Sequence, residues 1–385
     1  MEPAGFSLRE PERTSPTDVS SGVRIDPTRR PPEIAVGFMV TIDIYRPEDA
    51  RAIAAMYRRV FGNDEAEGNR LRWDWQYRRN PNCPPEGPQI WVAREGPTVI
   101  GQYATMPVRL VVNGQEISAS FGMDVMVAPE RQRQGLGEVL FRTWDQHTGA
   151  SLGLGQSESS FRLFQKLRWP NVGPVPCLVK PLTRRAVRRP NWPIPVNRFV
   201  SAVTLPIVRV VARVRPMAAG VAPIRRFDEE FAALWDRLAP KFAFIVRRDP
   251  PYLNWKFTEP PHVRYSAAAL RRGGELQGYA VYRHVWEPRG RVTLLVDFLV
   301  DPEDEPGMQT LLRWVDREAR VANSDKIRTY CLHEGFRRVM RRSGYFKVKS
   351  AAEFTAKINA IEVPAGFYQQ TGSWHVTLGD SDQDR

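Results

Sequence analysis

Two glycines two positions apart, set among basic and amide side chains, make Gln132-Arg-Gln-Gly135-Leu-Gly137 the stretch of this 385-residue chain best suited to chemistry. Upstream, the apolar run Val125-Met-Val-Ala-Pro129 ends in a proline; downstream, an amphipathic helical pattern starts at once and reaches about Thr148. A strand feeding a glycine loop that opens a helix offers backbone N–H groups and a positive helix end to phosphate. Gly135 and Gly137 remove the Cβ atoms that would hold phosphates off the main chain. Arg131 and Arg133 add positive charge beside that nest.

The elements that must position this loop follow from periodicity. Residues 1–37 are rich in Pro, Ser, Thr and charge without a period, and are expected to be a disordered tail. Residues 40–45 alternate as a strand, and 50–61 carry Ile53, Met56, Tyr57 and Val60 at helical spacing. A second helical stretch, 69–79, holds Trp73, Trp75 and Tyr77. Three strands follow near 89–94, 99–112 and 117–127, the last two joined by Asn113-Gly114, a strong hairpin signal. After the loop and its helix come a short strand (151–156), a helix (157–167) and one more strand (172–179). Three antiparallel strands before a β-α-β step predict an α/β (α+β) fold with a mixed, mostly antiparallel sheet flanked by helices.

The same phrases then recur. Trp75-Gln-Tyr-Arg-Arg-Asn-Pro81 is echoed by Trp255-Lys-Phe-Thr-Glu-Pro-Pro261, and Met123-Asp-Val-Met-Val-Ala-Pro129 by Val296-Asp-Phe-Leu-Val-Asp-Pro302. Gly101-Gln-Tyr-Ala104 returns as Gly278-Tyr-Ala280, one residue shorter, and Phe161–Lys166 parallels Arg337–Arg342. Four blocks in one order imply a duplicated domain. The copies differ after the proline: the second reads Glu303-Asp-Glu-Pro-Gly-Met308, where a phosphate would meet three carboxylates. The recurrence of Trp75 and Tyr77 as Trp255 and Phe257 favours core packing for that aromatic cluster over an acceptor pocket.

The loop and its setting resemble the Q/R-x-x-G-x-G/A acetyl-CoA motif of the GNAT (N-acetyltransferase) superfamily, here in a tandem form with a degenerate second domain. The expected division is a tail (1–37), an acetyl-CoA-binding GNAT domain (38–182), an Arg-rich linker (183–227), a degenerate GNAT-like domain (228–378) and an acidic tail (379–385). By this resemblance Gln132, Arg133, Gln134, Gly135, Leu136 and Gly137 hold the CoA pyrophosphate. Val125, Met126 and Val127 lie along the pantetheine, which pairs with the strand edge, and Phe164 lies beside it. Many members place a tyrosine at the position of Phe164 to protonate the leaving thiolate; a phenyl ring has no proton to give, so Ser157, Ser160 or water would have to serve. The general base for the amine is expected at Asp124, at Glu158 or through a water relay. Asp124 also has a structural reading, because Asp297 holds its place in the copy without the loop. The implied activity moves an acetyl group from acetyl-CoA, as co-substrate, to an amine on a small molecule or a glycan or lipid precursor. A Fem-type aminoacyl transferase and a non-catalytic acyl-CoA-binding scaffold are the alternatives; the loop argues against the first and Phe164 favours the second.

Composition bounds the rest. Hydrophobic residues at 42% suffice for folded cores, and 385 residues suggest two of them. Three widely spaced cysteines form neither a disulfide framework nor a metal pattern and fit a reducing cytoplasm. No signal-peptide pattern and no run of about 18 apolar residues is present. The net charge of +13 is concentrated: residues 183–227 hold ten arginines and no acid, leaving about +3 elsewhere. That distribution disfavours nucleic acid as a partner. Residues 194–215 read as a linker, with a peripheral membrane contact as the alternative. Asp380, Asp382 and Asp384 read by default as a solvated tail, with chelation of a cation, or a carboxylate threaded into the active site as in some tandem acetyltransferases, as the alternatives.

Overall fold

The computed structural model describes residues 40–187, 195–196, 202, 220–350 and 352–382. The N-terminal tail and nearly all of 194–215, with its membrane alternative, lie outside the described residues. Strand β1 (Val40–Ile44) leads into helices α1 (Ala50–Phe61) and α2 (Asn63–Trp73), the latter continued by a π turn at Asp74–Arg78. Strands β2 (Ile90–Glu95), β3 (Thr98–Val112) and β4 (Gln115–Val127) form a meander. The β3–β4 turn works because Asn113 and Gly114 both take positive φ, 48° and 83°, which matches the strand twist. Helix α3 (Leu136–Gln146), β5 (Ala150–Leu154) and α4 (Glu158–Lys166) follow. The single strand expected over 172–179 is two, β6 (Asn171–Pro174) and β7 (Cys177–Pro181), divided at Val175-Pro176.

The second half repeats this plan. It runs β8 (Val221–Ile224), α5 (Glu229–Leu238), β9 (Phe244–Val246), α6 (Pro250–Phe257), β10 (Ser266–Arg272), β11 (Glu275–Glu287) and β12 (Gly290–Val300). Then come α7 (Glu305–Val321), β13 (Lys326–Tyr330), α8 (Glu334–Arg342), β14 (Phe346–Val348), β15 (Glu353–Ile358) and β16 (Trp374–His375). Among the described residues no helix is long and apolar enough to cross a membrane.

The first sheet has the order β1-β2-β3-β4-β5-β15-β6, and the second, read from its matching edge, β8-β10-β11-β12-β13-β7-β14. The two orders correspond strand for strand, with β7 and β15 exchanged: each half lends the other its penultimate strand. β15 pairs antiparallel with β5 and β6, and β7 with β13 and β14. At the centre the duplication becomes a physical contact. Trp75 Nε1 donates to the Trp255 carbonyl at 2.7 Å and Trp255 Nε1 to the Trp75 carbonyl at 2.8 Å, with the indoles stacked 5.0 Å apart. Such reciprocity is the mark of an approximate two-fold axis.

Alternation on β2 sorts side chains to two faces. Ile90 and Val92 pack with Ile53, Met56 and Tyr57 of α1, while Trp91 and Ala93 pack with Leu136, Leu140, Phe141 and Trp144 of α3. The glycine loop is thereby held against the sheet by the buried stripe of α3.

Candidate functional site

β4 and β5 run parallel, but they register only at Ser120–Ser151 and Phe121–Leu152. Beyond those pairs β4 continues to Val127 and β5 to Leu154 without partners in each other, so the strands part. Between them lies a cavity of about 180 Å³. Asp124 sits at the fork with φ 35°, a left-handed conformation unusual for a non-glycine residue, beside the register shift between Gln102 and Ala104.

The Asp124 side chain is well supplied with donors. Tyr77 Oη donates at 2.6 Å, Asn69 Nδ2 at 3.1 Å and Tyr57 Oη at 3.2 Å, with Arg72 Nη2 at 3.8 Å. Burial, then the Asp124 charge and hydrogen bond, push the Tyr77 phenol well above its ordinary pKa. The equivalent Asp297 is bound by Arg248, Tyr279 and Thr377. Burial works against its charge, yet Arg248 holds the Asp297 carboxyl below its ordinary pKa. Asp124 thus ties β4 to the helix layer, whereas Asp297 ties β12 to β11, to the segment ahead of α6 and to the segment after β16. Tyr57 and Asn69 also wall a second cavity of about 630 Å³ between α1 and α2, lined by Tyr45, Ile53, Trp73 and Arg78. Asp124 and its donors are the partition between the two spaces.

The loop closes the other end. Gln132 Nε2 donates to the Val127 carbonyl at 3.1 Å and Gln134 Nε2 to Glu130 at 3.1 Å, while Arg131 pairs with Glu95. Arg133 and Gly135 take positive φ, 62° and 84°. The first α3 amides with a main-chain acceptor are Glu138 at 3.0 Å and Val139 at 3.2 Å, both onto Gly135. The amides ahead of them are the orphan donors of a helix start. A Cβ built on Gly135 or Gly137 meets no heavy atom within 4 Å. Gly135 is required by its φ, whereas nothing among the described residues requires a glycine at 137.

The second copy shows the same place filled. Asp304 caps α7, accepting from the Gly307 amide at 3.0 Å, and a Cβ on Gly307 would lie 2.0 Å from Asp304 Oδ2. The chain's own carboxylate stands where an anion would bind.

The other expected site residues divide. Ser157 caps α4 by accepting from the Ser160 amide at 3.3 Å, and Ser157, Ser160, Val125 and Phe164 all line the smaller cavity. Glu158 does not: its side chain is 78% exposed and pairs with Arg162. Met126 packs into the α1-side core, away from Val125 and Val127.

Tyr103 of β3 lines the cavity and was not among the expected site residues. Asp382, expected by default in a solvated tail, lines it too, and its route is long. β16 pairs with β9, Asp380 Oδ1 accepts from Arg248 Nη2 at 2.9 Å, and Lys256 Nζ donates to the Ser381 carbonyl at 2.6 Å. Asp380 and Ser381 are buried, so this part of the tail is not solvated, and the next residue enters the first-half cavity. The Thr-x-x-Asp spacing of Thr377 and Asp380, whose capping pair is formed at 2.6 Å, was the available signal. Among the described residues no cluster could hold a metal ion.

Residues 41–149 match a family model described as an acetyltransferase (GNAT) domain. No curated protein matches the chain. Among solved structures it is similar to a GCN5-related N-acetyltransferase from Anabaena variabilis, at 12% identity over 83% of this chain and 72% of that one, with a TM-score of 0.57. It is also similar to Saccharomyces cerevisiae N-myristoyltransferase with bound myristoyl-CoA, at 12% identity, 86% and 84% coverage, and a TM-score of 0.54. A third is a probable N-acyltransferase from Enterococcus faecalis, at 11% identity, 83% and 73% coverage, and a TM-score of 0.56. The mixed α/β architecture is shared with these structures.

Proposed function

We propose that this chain, which carries a GNAT acetyltransferase domain in its first half, transfers a short acyl group from acyl-CoA to an amine. The observation that carries the proposal is the nest at 132–137, with Gly137 facing open space and its counterpart plugged by Asp304. A diphosphate would take the orphan amides of α3, with Arg133 beside it. Pantetheine would follow the free edge of β4 at Val125 and Val127, with the thioester in the cavity against Phe164. Its volume of about 180 Å³ is small beside ordinary ligand sites, which supports an acetyl-sized group. A main-chain N–H near Val125 would polarise the thioester carbonyl as charge develops on its oxygen.

The amine's proton would pass to Asp382, directly or through water, because the Asp124 carboxylate already accepts three hydrogen bonds. Asp124 would serve by holding the fork open. The 630 Å³ space behind it is the candidate acceptor side.

The test is CoA-thiol release from acetyl-CoA across a panel of primary amines, with CoA binding measured separately. Turnover with at least one amine supports the transferase. Binding without turnover on any acceptor leaves a CoA-binding protein, and absence of CoA binding removes both readings.

A further inference from the structure

We infer that the Tyr103 hydroxyl donates the hydrogen bond that stabilises the departing thiolate, an inference that rests on the acyl-CoA reading above. Phe164 has no proton to offer in this cavity, and Tyr103 lines the same space. Its ring is fixed, stacked on Trp144 at 4.8 Å and edge-on to Phe141 at 4.6 Å, and it is 2% exposed. Its hydroxyl lies where a side chain at residue 122 would be: a Cβ on Gly122 would come within 2.1 Å of Tyr103 Oη. Among the described residues that hydroxyl has no hydrogen-bond partner.

The second copy supplies an independent argument. Gly101 faces Val127 and Gln102 faces Met126; Gly278 faces Val300 and Tyr279 faces Leu299. Gln102 therefore holds the place of Tyr279, and Thr105 against Gly122 holds that of Tyr282 against Leu295, so Tyr103 stands at the position of Ala280, one step further along the strand than Tyr279. A one-residue step sends a side chain to the opposite face of a sheet. Tyr279 turns to Asp297, donating at 2.8 Å, whereas Tyr103 turns to the α3 face and the cavity. The copy that keeps the glycine loop is the one that carries a tyrosine at the cavity-facing position, where the other has Ala280. Burial keeps the Tyr103 phenol protonated, and so a donor, throughout the neutral range.

In the step, the amine nitrogen bonds to the carbonyl carbon and the C–S bond breaks with its electron pair on sulfur. The amine's proton leaves to the carboxylate or water, and the Tyr103 O–H holds the thiolate until it takes a proton from solvent and leaves as free CoA thiol.

The test uses CoA alone, so no acceptor need be known. The thiol of bound CoA is titrated by its thiolate absorbance in the unaltered protein and in Tyr103→Phe, with desulfo-CoA as the blank. Asp124 and Asp382 face the same space and act equally in both proteins. The bound thiol should titrate about one to two pH units higher in Tyr103→Phe, with the CoA dissociation constant changed less than about threefold. Equal thiol titration in two proteins that both bind CoA would overturn this inference alone. Failure of the unaltered protein to bind CoA removes the acyl-CoA reading and this one with it.

Discussion

At the scale of single residues, glycine 137 and aspartate 382 carry the sharpest consequences. Gly137 sits in the first turn of α3 with open space around its missing Cβ, so alanine there should favour the free protein by up to about 1 kcal/mol. The same methyl would stand where phosphate oxygens approach. Gly137→Ala is therefore expected to melt slightly higher than the parent while binding CoA at least about tenfold more weakly, an opposition that melting curves and calorimetry read directly. Asp382→Asn should leave CoA affinity unchanged and lower kcat by about 100-fold. Asp124→Asn should instead act on stability, because it disturbs the hydrogen bonds from Tyr57, Tyr77 and Asn69 at once. If Asp124→Asn keeps its melting temperature and loses only kcat, the two roles are reversed.

At the scale of elements, capping gives the second half a measurable pH response. His333 opens α8, its Nδ1 accepting from the Phe336 amide at 3.4 Å, which requires a neutral ring. Burial first, and then Arg337, bring its pKa down from 6.5 to about 4. The unfolded chain therefore binds this proton below about pH 6.5 and the folded chain only below about 4. Its share of stability is complete above 6.5 and is lost as pH falls toward 4, on the order of 2 kcal/mol between pH 7 and 5. His375, held well below its ordinary pKa chiefly by burial, acts in the same direction. Urea midpoints at pH 7.5 and 5 should thus differ, and His333→Asn, which keeps a side-chain oxygen for the cap, should reduce the difference by about one proton's worth. An unchanged slope in that variant would show that His333 binds its proton equally in the folded and unfolded states.

At the scale of the whole molecule, the exchange of β7 and β15 makes the two halves mutually dependent. Phe354 and Ala356 of β15 are fully buried in the core of the first sheet, and Leu178 of β7 is buried in that of the second. A fragment ending at residue 182 would leave β6 unpaired and β5 with β4 alone, and would lose a buried phenylalanine, itself a loss of about 3–5 kcal/mol. The fragment 40–182 is expected to show no cooperative melt alone, and the full chain to show one calorimetric transition whose van't Hoff and calorimetric enthalpies agree. Two resolved transitions would mean that the exchanged strands contribute little. The exchange also gives the second half a part in the site although its own nest is plugged: it supplies β15, and it anchors at Arg248 and Lys256 the tail that carries Asp382.

The sequence alone determined what is local. The loop at 132–137 is readable because strand, glycines and helix are consecutive and their chemistry belongs to backbone amides. The duplication is readable because Trp75 and Trp255, or Asp124 and Asp297, keep their neighbours. What tertiary structure decided is pairing and facing. The apolar pattern of Cys177–Pro181 is the same whichever sheet it joins, so alternation could not reveal that β7 completes the second. Matching the strings Gly-Gln-Tyr-Ala and Gly-Tyr-Ala equates Tyr103 with Tyr279, and only the strand register shows that Tyr103 stands at the position of Ala280 and so on the other face. Asp382 reads as one acid in an acidic tail, and only buried anchors more than 100 residues away in sequence, at Arg248 and Lys256, bring it to the fork at Asp124. Contacts of that sequence separation are set by the closed fold, not by any pattern along the chain.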